Sequence, residues 1–180
     1  MELLLVRHGR IAGRPMRPRD DDPLSALGEE QARRAAAYLA QDPNYAALVC
    51  SPLRRALQTA HIIGAVVKME PVVIDALTEM NDREMGRLMV GELAERLPFG
   101  LRRLTQRAGD LLRAPLIGRV GGAFAKLFAE HTEQRVLIIA HGGVIWGTLA
   151  HYFPAQRRDF TRQRQVANCS VTRVAVTPDG

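Results

Sequence analysis

The chain has 180 residues, 47% of them hydrophobic and 24% charged, with a formal net charge of +6. That size suits a single domain with its own core, expected over residues 1–180, and the composition excludes a disordered, collagen-like or low-complexity polymer. Lys68 and Lys126 are the only lysines beside 23 arginines, a residue suited to forked phosphate recognition, yet the clusters Arg14-Arg17-Arg19, Arg102-Arg103-Arg107 and Arg157-Arg158-Arg162-Arg164 come with no zinc-finger spacing or stacking motif, so no nucleic-acid partner is expected.

In chain order, Leu3 to Val6 is short, apolar and unbroken, as a buried parallel strand is, and it ends at Arg7-His8-Gly9. Glu2 before this run and the charge straight after it fit neither a signal peptide nor a membrane span, and no later segment approaches eighteen apolar residues. A cytoplasmic protein with no membrane partner is expected. Residues 10–22 carry prolines and charges without periodicity and read as a loop. Ser25 then predicts a helix N-cap, with Ala32, Ala35, Ala36 and Leu39 at helical spacing behind it.

Tyr45 to Val49 predicts a second strand. Ser51 and Pro52 follow as cap and first helical residue of a helix that carries Leu53, Leu57, Ala60 and Ile63 on one side. Val72 to Ile74 predicts a third strand, and mostly helical structure is expected between Met80 and Arg119. Phe124, Leu127 and Phe128 mark a further helix, Arg135 to Ala140 the strongest strand, Val144 to Tyr152 a buried helix and Cys169 to Val176 a last strand. Cys50 and Cys169 lie in apolar stretches and form neither a disulfide framework nor a four-thiolate metal site, which points to a reducing compartment.

Strands alternating with helices argue for an α/β fold with a mostly parallel sheet, whose C-terminal edge is where ligands settle. Three strands deliver Arg7-His8, the turn from Ser51 to Arg55, and His141 to that edge. A lone histidine is more often a core residue satisfied by a carbonyl. His8 and His141, however, share one arrangement, a strand end followed by glycine, so that two imidazoles can face one small volume. No His-x-x-x-His or His-Glu-x-x-His spacing supports a zinc site, whereas Arg7, Arg55 and the helix starts after Ser51 and His141 suit an oxyanion.

These blocks resemble the histidine phosphatase superfamily, in its phosphoglycerate-mutase-like branch. The opening Arg-His-Gly is matched by Arg7-His8-Gly9, and the second block by Ser51, Leu53, Arg55, Ala56, Thr59 and Ala60. The late His-Gly is matched by His141-Gly142, and the lead-in by Asp21, Pro23, Leu24, Ser25 and Gly28. The resemblance implies a three-layer α/β/α sandwich and a metal-independent phosphomonoesterase with no cofactor. It implies that His8 attacks phosphorus, that Arg7, Arg55, His141 and Gly142 hold the phosphoryl group, and that His141 is preferably protonated.

The family's Leu-x-Glu is matched by Leu77-Thr78-Glu79, which makes Glu79 the acid for the leaving alcohol. Relatives carry glycine where this chain has Arg83, and Glu84 and Asp82 are alternative acids. Arg10 and Ile11 replace a hydroxyl position and add a cation at the mouth, and Gly121-Gly122-Ala123-Phe124 stands in place of Gly-Glu-Ser. Phe124 and Trp146 are expected in the core, and Asn168 and Ser170 as scaffold for the phosphate-binding edge. A small phosphate ester is the expected substrate. Protein phosphohistidine and a non-catalytic phosphate- or phosphoprotein-binding role are the alternatives.

Overall fold

The computed structural model describes residues 1–13, 20–80, 118–153 and 166–175. Five strands, β1 (Glu2–Arg7), β2 (Ala47–Cys50), β3 (Val72–Val73), β4 (Arg135–Ala140) and β5 (Val171–Ala175), form one sheet in the order β3-β2-β4-β1-β5. All pairings are parallel except β1 with β5, which is antiparallel at one edge. The helices are α1 (Ala26–Leu39), α2 (Arg54–Val67), α3 (118–130) and α4 (Gly142–Tyr152).

Unbroken apolar strands are explained by burial on both faces. Leu4, Val6, Leu48, Cys50, Leu137 and Ile139 point to one side, where they pack with Ala35, Ala36 and Leu39 of α1 and Ala60, Ile63 and Val67 of α2. Leu3, Leu5, Val49, Val136, Ile138 and Ala140 point to the other, against Val120, Phe124 and Leu127 of α3 and Val144 and Ile145 of α4. This alternation along each strand makes the three-layer α/β/α sandwich. Phe124 is fully buried and packs with Phe128 and Tyr152 at ring separations of 6.3 and 6.4 Å, and Trp146 is buried as well, as expected of core residues.

Ser25 caps α1 as predicted, its hydroxyl accepting the Gly28 N–H at 3.1 Å. The second helix departs from expectation: it begins at Arg54, Leu53 is its N-cap, and neither Ser51 nor Pro52 starts it. Ser51 instead continues the β2 ladder, its N–H donating to the Ile139 carbonyl at 3.0 Å. The second strand is shifted to Ala47–Cys50 because Tyr45 turns away, its hydroxyl donating to the Leu39 carbonyl at 3.0 Å. The third strand is shorter than expected, since Ile74 already leads into a 3₁₀ turn at Asp75–Leu77. The last strand starts at Val171, because Cys169 lies in a turn with a φ of 56°. Among the described residues, no helix is long and apolar enough to cross a membrane. The helical expectation for 81–117, the three arginine clusters, Asp82, Arg83 and Glu84 lie outside the described residues.

Candidate active site

Register places the site. Arg7 is level with Ala140 in the parallel β1–β4 pair, and Cys50 is level with Ile139 in β2–β4. The residues that follow, His8, Ser51 and His141, therefore emerge from neighbouring strands at one edge. The His8 N–H extends the ladder to the Ala140 carbonyl at 3.0 Å, and the His8 and His141 rings lie 5.1 Å apart, inclined at 60°. Helix α4 begins at Gly142 and α2 at Arg54, so both direct their positive dipole ends to this edge.

His8 is buried, and its Nδ1 lies 2.7 Å from the Gly9 carbonyl oxygen. A carbonyl only accepts, so Nδ1 carries the proton and Nε2 keeps its lone pair. Burial, opposed by the Gly9 hydrogen bond and reinforced by the charges of Arg55 and Arg7, lowers the His8 pKa to about 4. The ring is neutral at pH 7, with its lone pair on Nε2.

The backbone around it is held from both sides. The Gly9 N–H donates to Thr59 Oγ1 at 3.1 Å, and that hydroxyl donates to the Arg55 carbonyl at 2.7 Å. Asn168 Nδ2 donates to the His8 carbonyl at 2.8 Å, the Cys169 N–H to the Arg7 carbonyl at 2.9 Å, and Arg7 Nη1 to the Val166 carbonyl. The scaffold role expected of Asn168 is thus observed, whereas the Ser170 hydroxyl turns back to Ala167. Gly9 and Gly28 meet backbone to backbone, and a Cβ on Gly28 would overlap the Arg10 carbonyl oxygen. This contact seats the loop after β1 on the start of α1. Arg10 itself is exposed, its N–H donating to Gln31.

His141 is fully buried, with Nε2 2.7 Å from Ser51 Oγ. Its pKa lies well below 6.5, first through burial and then through the charges of His8, Arg55, Arg7 and Arg119. Without a ligand His141 is therefore neutral, since in a dry site already holding arginines a further cation is unfavourable; the protonated His141 expected on the resemblance belongs to the phosphate-bound site. Arg55 is buried on α2, where desolvation lowers its pKa and Glu79 leads the charges that raise it. Gly142 lies beside the Arg7 guanidinium, where an added Cβ would be 3.7 Å from Nε.

Glu79 reaches the same edge from the turn after β3. Burial raises its pKa, against the N–H groups of Met80 and Gly143 and the charges of Arg55 and Arg7, all of which lower it. A carboxyl so placed keeps its proton to higher pH than an ordinary glutamate. Arg119 of α3 clasps the turn, Nη1 donating to the Ala76 and Thr78 carbonyls at 2.7 Å each. Sequence reasoning missed this clasp, because a single arginine at a helix start carries no spacing signal. It also missed the ring contact of Ser51, the role of Gly143 and that of Thr59, although Thr59 four residues after Arg55 stood in a quoted motif.

The edge therefore gathers His8, His141, Arg7, Arg55, Gly142 and Glu79, an arrangement suited to an oxyanion beside a nucleophile and an acid. Among the described residues, no three His, Cys, Asp or Glu side chains gather as metal ligands.

Comparison with known proteins places the chain among similar sequences. The family description "Histidine phosphatase superfamily (branch 1)" matches residues 3–180. An uncharacterized phosphatase, PhoE of Bacillus subtilis (strain 168), is 30% identical over 148 residues, covering 81% of this chain and 74% of that protein. A probable phosphoglycerate mutase, GpmB of Enterobacter sp. (strain 638), is 28% identical over 184 residues, covering 97% and 84%. Among solved structures, the mycobacterial glucosyl-3-phosphoglycerate phosphatase Rv2419c in complex with VO3 superposes with a TM-score of 0.72 at 26% identity, covering 97% of this chain and 92% of that one.

Proposed function

This chain belongs to the histidine phosphatase superfamily, branch 1, and we propose that it hydrolyses a small phosphate monoester through a phosphohistidine on His8. The observation that carries the reading is the Gly9 carbonyl on His8 Nδ1, which leaves Nε2 with a lone pair at the sheet edge. Nε2 forms the bond to phosphorus as the bond to the leaving oxygen breaks. Arg7, Arg55, His141 and the Gly142 N–H hold the equatorial oxygens, where charge spreads in transfer. Glu79 gives its proton to the leaving alcohol. Water then attacks the phosphohistidine, Glu79 takes the proton, and inorganic phosphate leaves with His8 restored.

The similarity to a glucosyl-3-phosphoglycerate phosphatase supports a small phosphorylated substrate over a phosphoprotein. The two free cysteines, Cys50 and Cys169, support a cytoplasmic location. Quenching the wild type with labelled phosphate ester tests the mechanism: an alkali-stable, acid-labile adduct on His8 is expected. His8→Ala should fold, form no adduct and lose nearly all turnover. An adduct on Ser51 or Cys50 would sink the proposal.

A further inference from the structure

Building on the reading of this edge as a phosphoryl site, we propose that Ser51 is a positioning residue that sets the tautomer of His141, so that His141 meets the phosphoryl group as a neutral Nδ1–H donor. The serine is fully buried, and its Oγ has two hydrogen-bond partners among the described residues: the Leu53 N–H at 3.3 Å and His141 Nε2 at 2.7 Å. The Leu53 N–H is a donor and cannot take the serine proton. Nε2 is then the acceptor for that proton, and a neutral ring with its Nε2 lone pair engaged carries its own proton on Nδ1.

The opposite tautomer fits the site poorly. With Nε2–H donating to Oγ, the serine proton is stranded in a dry interior, and the ring offers a lone pair where an anion has to bind. In the Nδ1–H form the Ser51–His141 pair leaves Nδ1 unsatisfied, buried without a partner among the described residues, on a ring 5.1 Å from that of His8. A phosphoryl oxygen arriving on His8 would satisfy it. Burial and the surrounding Arg55, Arg7 and Arg119 oppose a second proton on the ring, which makes the choice of tautomer matter. A neutral donor contributes to binding only if its proton is on the correct nitrogen.

The test is a long-range proton–nitrogen spectrum of the protein with labelled histidine, at pH 7 without phosphate, with His141 assigned by its loss in His141→Gln. The wild type should show a protonated Nδ1 and an unprotonated Nε2. In Ser51→Ala the ring should shift to a mixture or to Nε2–H, and affinity for inorganic phosphate should fall about 10- to 100-fold, the worth of a hydrogen bond to a charged group. A wild-type ring protonated on Nε2, or on both nitrogens, would overturn the proposal even if the variant fails to fold. So would an unchanged tautomer and phosphate affinity in Ser51→Ala. If no phosphate ester is turned over while the Nδ1–H form and its dependence on Ser51 persist, the phosphatase reading falls and this proposal stands.

Discussion

Gly143 lies directly against the Glu79 carboxyl: a Cβ on Gly143 would overlap Met80 Cε and stand 2.5 Å from Glu79 Oε1. The second residue of α4 is therefore a seat for the acid, open because it has no side chain. In an ordinary helix the change Gly143→Ala would stabilise by about 1 kcal/mol through propensity alone. Here the overlapped atoms are the ends of the flexible Met80 and Glu79 side chains, which can move aside, so we expect a stability change within about 1 kcal/mol in denaturant unfolding. Turnover of alkyl phosphates should fall about 10²-fold as Glu79 is displaced. Unchanged turnover would mean that the acid does not need this seat.

The role of Glu79 is separable by leaving group. Glu79→Gln should slow phosphohistidine formation from alkyl phosphates about 10²-fold or more, and from p-nitrophenyl phosphate far less, because nitrophenolate departs without a proton. Pre-steady-state measurement is needed, since in the proposed mechanism Glu79 also serves the water step. Equal slowing for both esters would refute the acid role.

Metal removal should leave activity intact. Arg7, Arg55 and two helix N-termini already oppose the phosphoryl charge, so a divalent cation adds little. Turnover in excess EDTA should equal that without it. Loss on chelation with recovery by magnesium or zinc would overturn the mechanism.

The two buried imidazoles should make folding sensitive to mild acid. His8 titrates at about 4 and His141 well below 6.5, so as pH falls the unfolded chain takes up their protons first. Their contribution is fully present above 6.5 and is lost as pH falls, for His8 toward 4. Between pH 7 and pH 5 His8 contributes a loss of about 2 kcal/mol, and His141 a loss in the same direction. Glu79, shifted upward, acts in the opposite direction, holding its proton in the folded state first. The histidine effect is therefore read as a difference: denaturant titrations of His8→Gln or His141→Gln should show a pH slope shallower than that of the wild type. A slope unchanged in both variants would contradict neutral buried rings.

Local rules reached far along this chain. Unbroken runs such as Leu3–Val6 and Arg135–Ala140 announced strands buried on both faces, and the strand, histidine, glycine pattern, repeated at His8 and His141, announced the edge where chemistry gathers. Those signals are short-range and survive in the sequence because backbone geometry and burial act residue by residue. Ser51 shows where they stop. Serine before proline is a sound helix-start signal, yet the β2–β4 register carries Ser51 into the ladder and sets its hydroxyl against a ring 90 positions away. Arg119 is comparable, a helix-start arginine whose partners, Ala76 and Thr78, lie across the sheet edge.

Protonation was the other quantity beyond reach of the sequence. Residue type gives an imidazole near 6.5, but burial beside two arginines decides that His8 and His141 are neutral, and burial, against the pull of the same arginines, decides that Glu79 keeps its proton longer. The sequence by itself determined which side chains could do phosphoryl chemistry and in what order they occur. Only the tertiary structure decided which nitrogen is bonded, which carboxyl is seated and which charges are unaffordable, because desolvation and hydrogen-bond geometry arise from segments that meet only after folding.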